Sequence, residues 1–141
     1  MNLPDQRIIK FLKDHHVMTL ATCSGDRPWC SNCFYIFLEN EIGFVLTSDF
    51  ETRHIQEALI NTYVSGSVVM ESDIPTKVQG LQFEGKLRIL EQALANKAKQ
   101  AYLKRFPMSA LQNTTLWFLE VSYLKYTDNR LGHGNKLVWK R

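Results

Sequence analysis

The sequence contains no apolar stretch near the roughly 18 residues that cross a bilayer as a helix. Its start, Met1-Asn2-Leu3-Pro4-Asp5-Gln6, shows no basic segment leading into an apolar one. A chain without these features is expected to work in the cytoplasm, with no membrane partner. Cysteine is scarce: only Cys23, Cys30 and Cys33 are present. An odd count without an export signal argues against a disulfide framework. Cys30-Ser31-Asn32-Cys33 has the spacing of a redox or zinc pair, but the segment is strand-like. Positions three apart on a strand face opposite ways, so the two sulfurs could not share a metal or close a bridge. There is no second cysteine pair, and the four histidines lack ligand spacing. No metal is expected, and the thiols read as buried or half-buried. A strong charge bias is missing too, with a formal net charge of +3. Lys97, Lys99, Lys104 and Arg105 gather on one predicted helix, which reads as a solvated face and not as a nucleic-acid surface.

What is present is an ordinary globular composition: 141 residues, 45% hydrophobic and 22% charged. That length fits one domain spanning residues 1–141, with a core that needs no staples. Pro4 suits a first helical turn, and Ile8, Ile9 and Leu12 form one apolar stripe, so a helix ending near His15 is expected. Val17 to Cys23 reads as a strand with Met18, Leu20 and Thr22 on one face. Ser24-Gly25-Asp26-Arg27-Pro28 supplies a turn, and Trp29 to Leu38 the second strand of a hairpin. A third strand is expected over Ile42 to Thr47, a helix over Thr52 to Asn61, and a strand over Tyr63 to Met70. Leu81 to Ile89 alternates apolar and polar residues most clearly. A helix over Glu91 to Phe106 stops at Pro107, and a strand follows over Leu116 to Tyr126. Trp117 alternates with Leu119 and Val121 and reads as core, while Trp29 and Phe34 leave core and ligand face open. Gly132-His133-Gly134 reads as a turn. Six strands with short links and flanking helices imply a mainly β fold with α, a nearly closed antiparallel barrel.

The chemistry-bearing stretch is Thr47 to His54. An apolar strand ends in Thr47 and Ser48, and a helix begins at Thr52, followed by Arg53 and His54. Free N–H groups at a helix start favour an anion. Arg53 could clamp a phosphate, Thr47, Ser48 and Thr52 could donate neutral bonds, and His54 could donate as well. A dianion beside His54 would raise its pKa. An ordinary helix cap at Thr52 with two surface residues explains the same letters. Asp49 and Glu51 would have to point away from a bound phosphate.

Leu46-Thr47-Ser48, Thr52-Arg53-His54 and Tyr63-Val64-Ser65-Gly66-Ser67-Val68 resemble the phosphate-binding region of the pyridoxamine 5'-phosphate oxidase-like FMN-binding split barrels. The chain is most similar to their uncharacterised YhbP-like branch. That resemblance rests on Trp29 to Tyr35, Gly80 to Gly85, Lys104-Arg105-Phe106-Pro107 and Phe118 to Trp139, including Thr127-Asp128-Asn129-Arg130-Leu131-Gly132. It implies a six-stranded antiparallel split barrel with flanking helices, an FMN cofactor and a homodimer with the flavin groove at its interface. It implies that Arg53, His54, Thr47, Ser48 and Thr52 hold the phosphate. It also implies that Cys30, Ser31 and Asn32 line the isoalloxazine, with the strand face left open. His54 stands where those oxidases carry lysine, and Arg130 and His133 do not reproduce their substrate-binding spacing. The implied function is an FMN-dependent oxidoreductase of unknown substrate. A non-catalytic dimer binding FMN or another phosphorylated ligand, and a barrel that has lost its cofactor, are the alternatives.

Overall fold

The computed structural model describes residues 2–111, 115–132 and 135–141. It contains helices α1 (Gln6–Asp14), α2 (Arg53–Ile60) and α3 (Gln92–Arg105). The strands are β1 (Val17–Ser24), β2 (Arg27–Leu38), β3 (Gly43–Ser48), β4 (Tyr63–Met70), β5 (Gln79–Ile89), β6 (Thr115–Asp128) and β7 (Lys136–Lys140). All pairings are antiparallel in the order β3-β2-β1-β4-β5-β6-β7, and β6 also pairs with β3. That last pairing closes six strands into a barrel, and β7 is an extra strand on the free edge of β6, with Trp139 reaching the core. The extra strand lies in the tail that the sequence pattern left unassigned. His133 and Gly134 of the expected turn lie outside the described residues.

Local chemistry accounts for the elements. Asp5 caps α1 by accepting from the Arg7 backbone N–H at 2.8 Å. Gly25 and Asp26, at φ 58° and 60°, form the two-residue loop between β1 and β2, as the right-handed strand twist favours. Period-two burial puts Met18, Leu20 and Thr22 inside on β1 and Cys33, Tyr35 and Phe37 inside on β2.

The barrel interior holds Met18, Leu20, Tyr35, Phe44, Phe83, Trp117 and Leu119 among others. A second apolar layer lies outside, where Ile36, Leu38, Val45 and Phe118 meet Ala98 and Tyr102 of α3. Helix α1 packs at one mouth, with Tyr35 OH donating to Leu12 O at 2.8 Å and Phe11 against Tyr126. Helix α2 packs at the other, where Asn61 Nδ2 donates to Cys23 O at 3.1 Å.

The 14-residue β6 runs along β5, while its other edge passes from β3 to β7. At this split Arg141 donates to the carbonyls of Val121 at 2.8 Å and Ile42 at 2.9 Å. Ile42 O also accepts from the Val121 backbone N–H at 3.2 Å, so Arg141 reinforces the pairing at this edge. Among the described residues no helix is long and apolar enough to cross a membrane.

Candidate functional site at the start of helix α2

Strand β3 delivers Thr47 and Ser48 to the barrel rim, and the loop through Asp49, Phe50 and Glu51 turns into α2. Thr52 occupies the N-cap position, but its hydroxyl does not cap the helix. It donates back to Asp49 O at 2.9 Å. The His54 Nε2 lies in hydrogen-bond contact with Ser48 Oγ and at 3.3 Å from Thr52 Oγ1. Ser48 Oγ and Thr52 Oγ1 are 3.4 Å apart. Three of the five candidate phosphate ligands therefore converge in one cluster. Burial holds the His54 imidazole below its ordinary pKa, because desolvation disfavours the cation. That direction is opposite to the shift a phosphate dianion would cause.

Arg53 is exposed on the first turn and faces other neighbours. Its guanidinium lies over the Trp29 ring, 4.1 Å from the centroid, and its Nε is 3.5 Å from Glu57 Oε1. The other Glu57 oxygen accepts from buried Thr22 at 3.3 Å. Thr22 and Glu57 were absent from the sequence-derived site, and Trp29 was open between core and ligand face. The i, i+4 spacing of Arg53 and Glu57 was readable, but the reach of β1 and β2 across the mouth was not.

Thr47 sits apart from the cluster. Its hydroxyl shares a 2.9 Å hydrogen bond with the Tyr102 hydroxyl of α3, and burial raises the Tyr102 pKa. Asp49 and Glu51 are exposed.

Strand β2 answers the open question of faces. Cys30 and Asn32 are exposed on the outer face together with Phe34, and Asn32 Oδ1 accepts from Thr19 at 3.0 Å. Ser31 is half-buried on the other face, 4.0 Å from the Cys33 sulfur. Phe34 and Trp29 are 56% and 42% exposed, so neither is core, whereas Trp117 is. The exposed Cys30 departs from the expectation of buried or half-buried thiols, and Cys30 and Cys33 do face opposite ways. Among the described residues no group of acidic, cysteine or histidine side chains could hold a metal.

Outside this corner, Arg105 is no solvated surface residue. It is half-buried and donates to His15 O at 3.0 Å. Arg130 is clamped by Asp128 through its backbone N–H at 3.0 Å and its guanidinium at 2.8 Å.

The model for pyridoxamine 5'-phosphate oxidase matches residues 4–128. A UPF0306 protein of Yersinia pestis is 37% identical over 143 residues, covering 100% of this chain and 97% of the relative. A UPF0306 protein of Yersinia pseudotuberculosis has the same identity and coverage. Among solved structures, a heme binding protein from Mycobacterium smegmatis aligns with a TM-score of 0.79 at 19% identity. That match covers 99% of this chain and 60% of the longer Mycobacterium smegmatis chain. HutZ, the heme storage protein from Vibrio cholerae, gives 0.69 at 21%, covering 86% and 92%. A FAD-binding protein from Mesorhizobium loti gives 0.67 at 14%, covering 86% and 92%. At such identities the structural likenesses speak to the fold alone, a barrel that serves both heme and flavin proteins. The family match over most of the chain and the full-length relatives at 37% identity together make this chain a member of the pyridoxamine 5'-phosphate oxidase-like split barrels, on their UPF0306 branch.

Proposed function

We propose that the protein binds FMN in an oxidoreductase role, with the flavin along the outer face of β2 and its phosphate at the start of α2. The observation that carries this reading is the convergence of Ser48, Thr52 and His54 at a helix N-terminus, with Arg53 exposed on the same turn. Helix N-termini favour anions, and hydroxyl and imidazole groups can turn outward to donate to phosphate oxygens. The exposed Cys30, Asn32 and Phe34 offer the flavin an adjoining strand face. Ser31 would contribute through its backbone, because its side chain is on the other face. Bound FMN would supply the electron chemistry, and the chain would orient it and shield it from water.

The groove is completed by a second copy. Val17, Phe34, Tyr63 and Val69, 43%, 56%, 67% and 59% exposed, give the outer face of β1, β2 and β4 an apolar character suited to a homodimer.

Parallel titrations with FMN, FAD and hemin, followed by visible absorbance, test the reading. One FMN per chain with a perturbed flavin spectrum is expected. Failure to bind either flavin would reject it, and a heme band on hemin addition would then favour the chemistry of the heme-binding neighbours. Reduced nicotinamide added to the FMN-loaded protein should bleach the flavin. A flavin that stays oxidised with either nicotinamide rules out simple reductase activity.

A further inference from the structure

Helix α2 places Glu57 one turn beyond Arg53, and the two carboxylate oxygens have different partners. Oε1 lies 3.5 Å from Arg53 Nε, and Oε2 accepts from Thr22 at 3.3 Å. The Glu57 side chain is only 11% exposed, against 49% for Arg53. Thr22 is itself buried on the inner face of β1. Glu57 is thus anchored into the barrel mouth and cannot swing away as a surface glutamate can. The guanidinium also lies over the Trp29 ring, 4.1 Å from its centroid.

A buried carboxylate needs a compensating charge, and Arg53 supplies it. Any phosphate arriving at this corner must share Arg53 with a fixed anion. The neighbouring imidazole engages the Ser48 and Thr52 hydroxyls through Nε2, so a phosphate would have to draw that ring edge out of the cluster. Asp49 and Glu51 add two exposed carboxylates in the same loop. No cation of the corner is unopposed, whereas a tightly held dianion calls for charge-assisted contacts.

We propose that Glu57 keeps this corner near charge balance, so that the flavin it receives is a dissociable, exchanging ligand and not a resident cofactor. The inference rests on the assignment of the flavin phosphate to the start of α2. It makes the protein one that takes up and releases flavin phosphate, with Glu57 as the positioning residue that governs affinity through Arg53.

Glu57→Gln tests it, since the amide keeps the shape and can still accept from Thr22 while losing the charge. FMN and riboflavin dissociation constants are measured for the wild type, E57Q and R53A, with melting curves as a fold control. The wild type should lose FMN on desalting. E57Q should bind FMN about tenfold or more tightly, the direction that removing one nearby like charge requires, with riboflavin affinity unchanged. FMN that stays with the wild type through desalting, or E57Q affinity equal to or below the wild type's, would overturn the proposal. If E57Q fails to fold, the wild type at low and high salt decides. A charge-balanced corner gives a small change in FMN affinity, and a steep loss with salt contradicts it. R53A separates the two ideas. Weakened FMN binding in R53A with no gain in E57Q preserves the phosphate site and rejects the role of Glu57. Unchanged FMN binding in R53A rejects the site itself, and with it the proposal.

Discussion

Arg53 and His54 share a peptide bond yet serve different partners, and the difference decides what the corner can do. Arg53 looks across the mouth to Trp29 and along α2 to Glu57, while His54 turns back to Ser48 and Thr52. The His54 pKa is lowered by burial, so the unfolded chain binds more protons than the folded one just below the ordinary histidine pKa of about 6.5. Its contribution to stability is fully present above that value. It is lost as pH falls from there through the depressed folded pKa. His54→Asn should flatten this part of the stability–pH curve, as urea melts between pH 5 and 8 would show. An unaltered slope would mean that the imidazole is not held neutral. The candidate residues themselves were legible because strand end, helix start and donor types fall in eleven consecutive positions from Phe44 to His54. Their partners were not. Trp29 and Thr22 reach the site from a hairpin far away in the chain, and no local pattern records which side chains meet across a barrel mouth.

Among the elements, the alternating strands were the easiest to read because one face is core and the other is not. Met18, Leu20 and Thr22, and Leu81, Phe83 and Leu87, are all inside. Phe34 shows where the same logic fails. An aromatic residue on a barrel strand can face the core, a helix or open surface, and composition does not separate these. Along β2 the outer face is covered at Ile36 and Leu38 by α3, whereas Phe34 meets the Phe106 ring edge-on at 5.4 Å and stays mostly exposed. Strand β7 escaped because its five residues carry little periodicity.

Close packing between strands also sets a local requirement at Gly66. A Cβ there would lie 2.2 Å from Thr19 O, a backbone atom of the neighbouring strand. Gly66→Ala should therefore cost about 1–3 kcal/mol, the usual scale of overpacking. A chemical denaturation curve would measure it, and a neutral result would mean that β1 and β4 are not so tightly paired there. Trp117, 1% exposed with its Nε1 donating to Ser48 O at 3.0 Å, ties the core to the site. Trp117→Ala should cost about 3–5 kcal/mol and loosen Ser48.

At the scale of the whole molecule, a closed barrel with helices in both mouths leaves the outer face of β1, β2 and β4 exposed with apolar residues on it. Closure was foreseeable from strand number and short links. The second copy proposed to cover Phe34, Tyr63 and Val69 has no signature in a single chain. Phe34→Glu should shift the protein toward monomer in sedimentation without changing its circular dichroism, and an unchanged mass would place the assembly surface elsewhere. The proposed flavin binding joins the three scales, since it would need the Arg53 turn, the β2 face and the groove together. The most direct test compares FMN titrations of the wild type and Arg53→Ala under identical salt and pH. The expected result is binding by the wild type and a loss of about 1.5–3 kcal/mol in the variant, the scale of one charge-assisted contact. Equal affinities, or no FMN binding by either protein, would contradict the account.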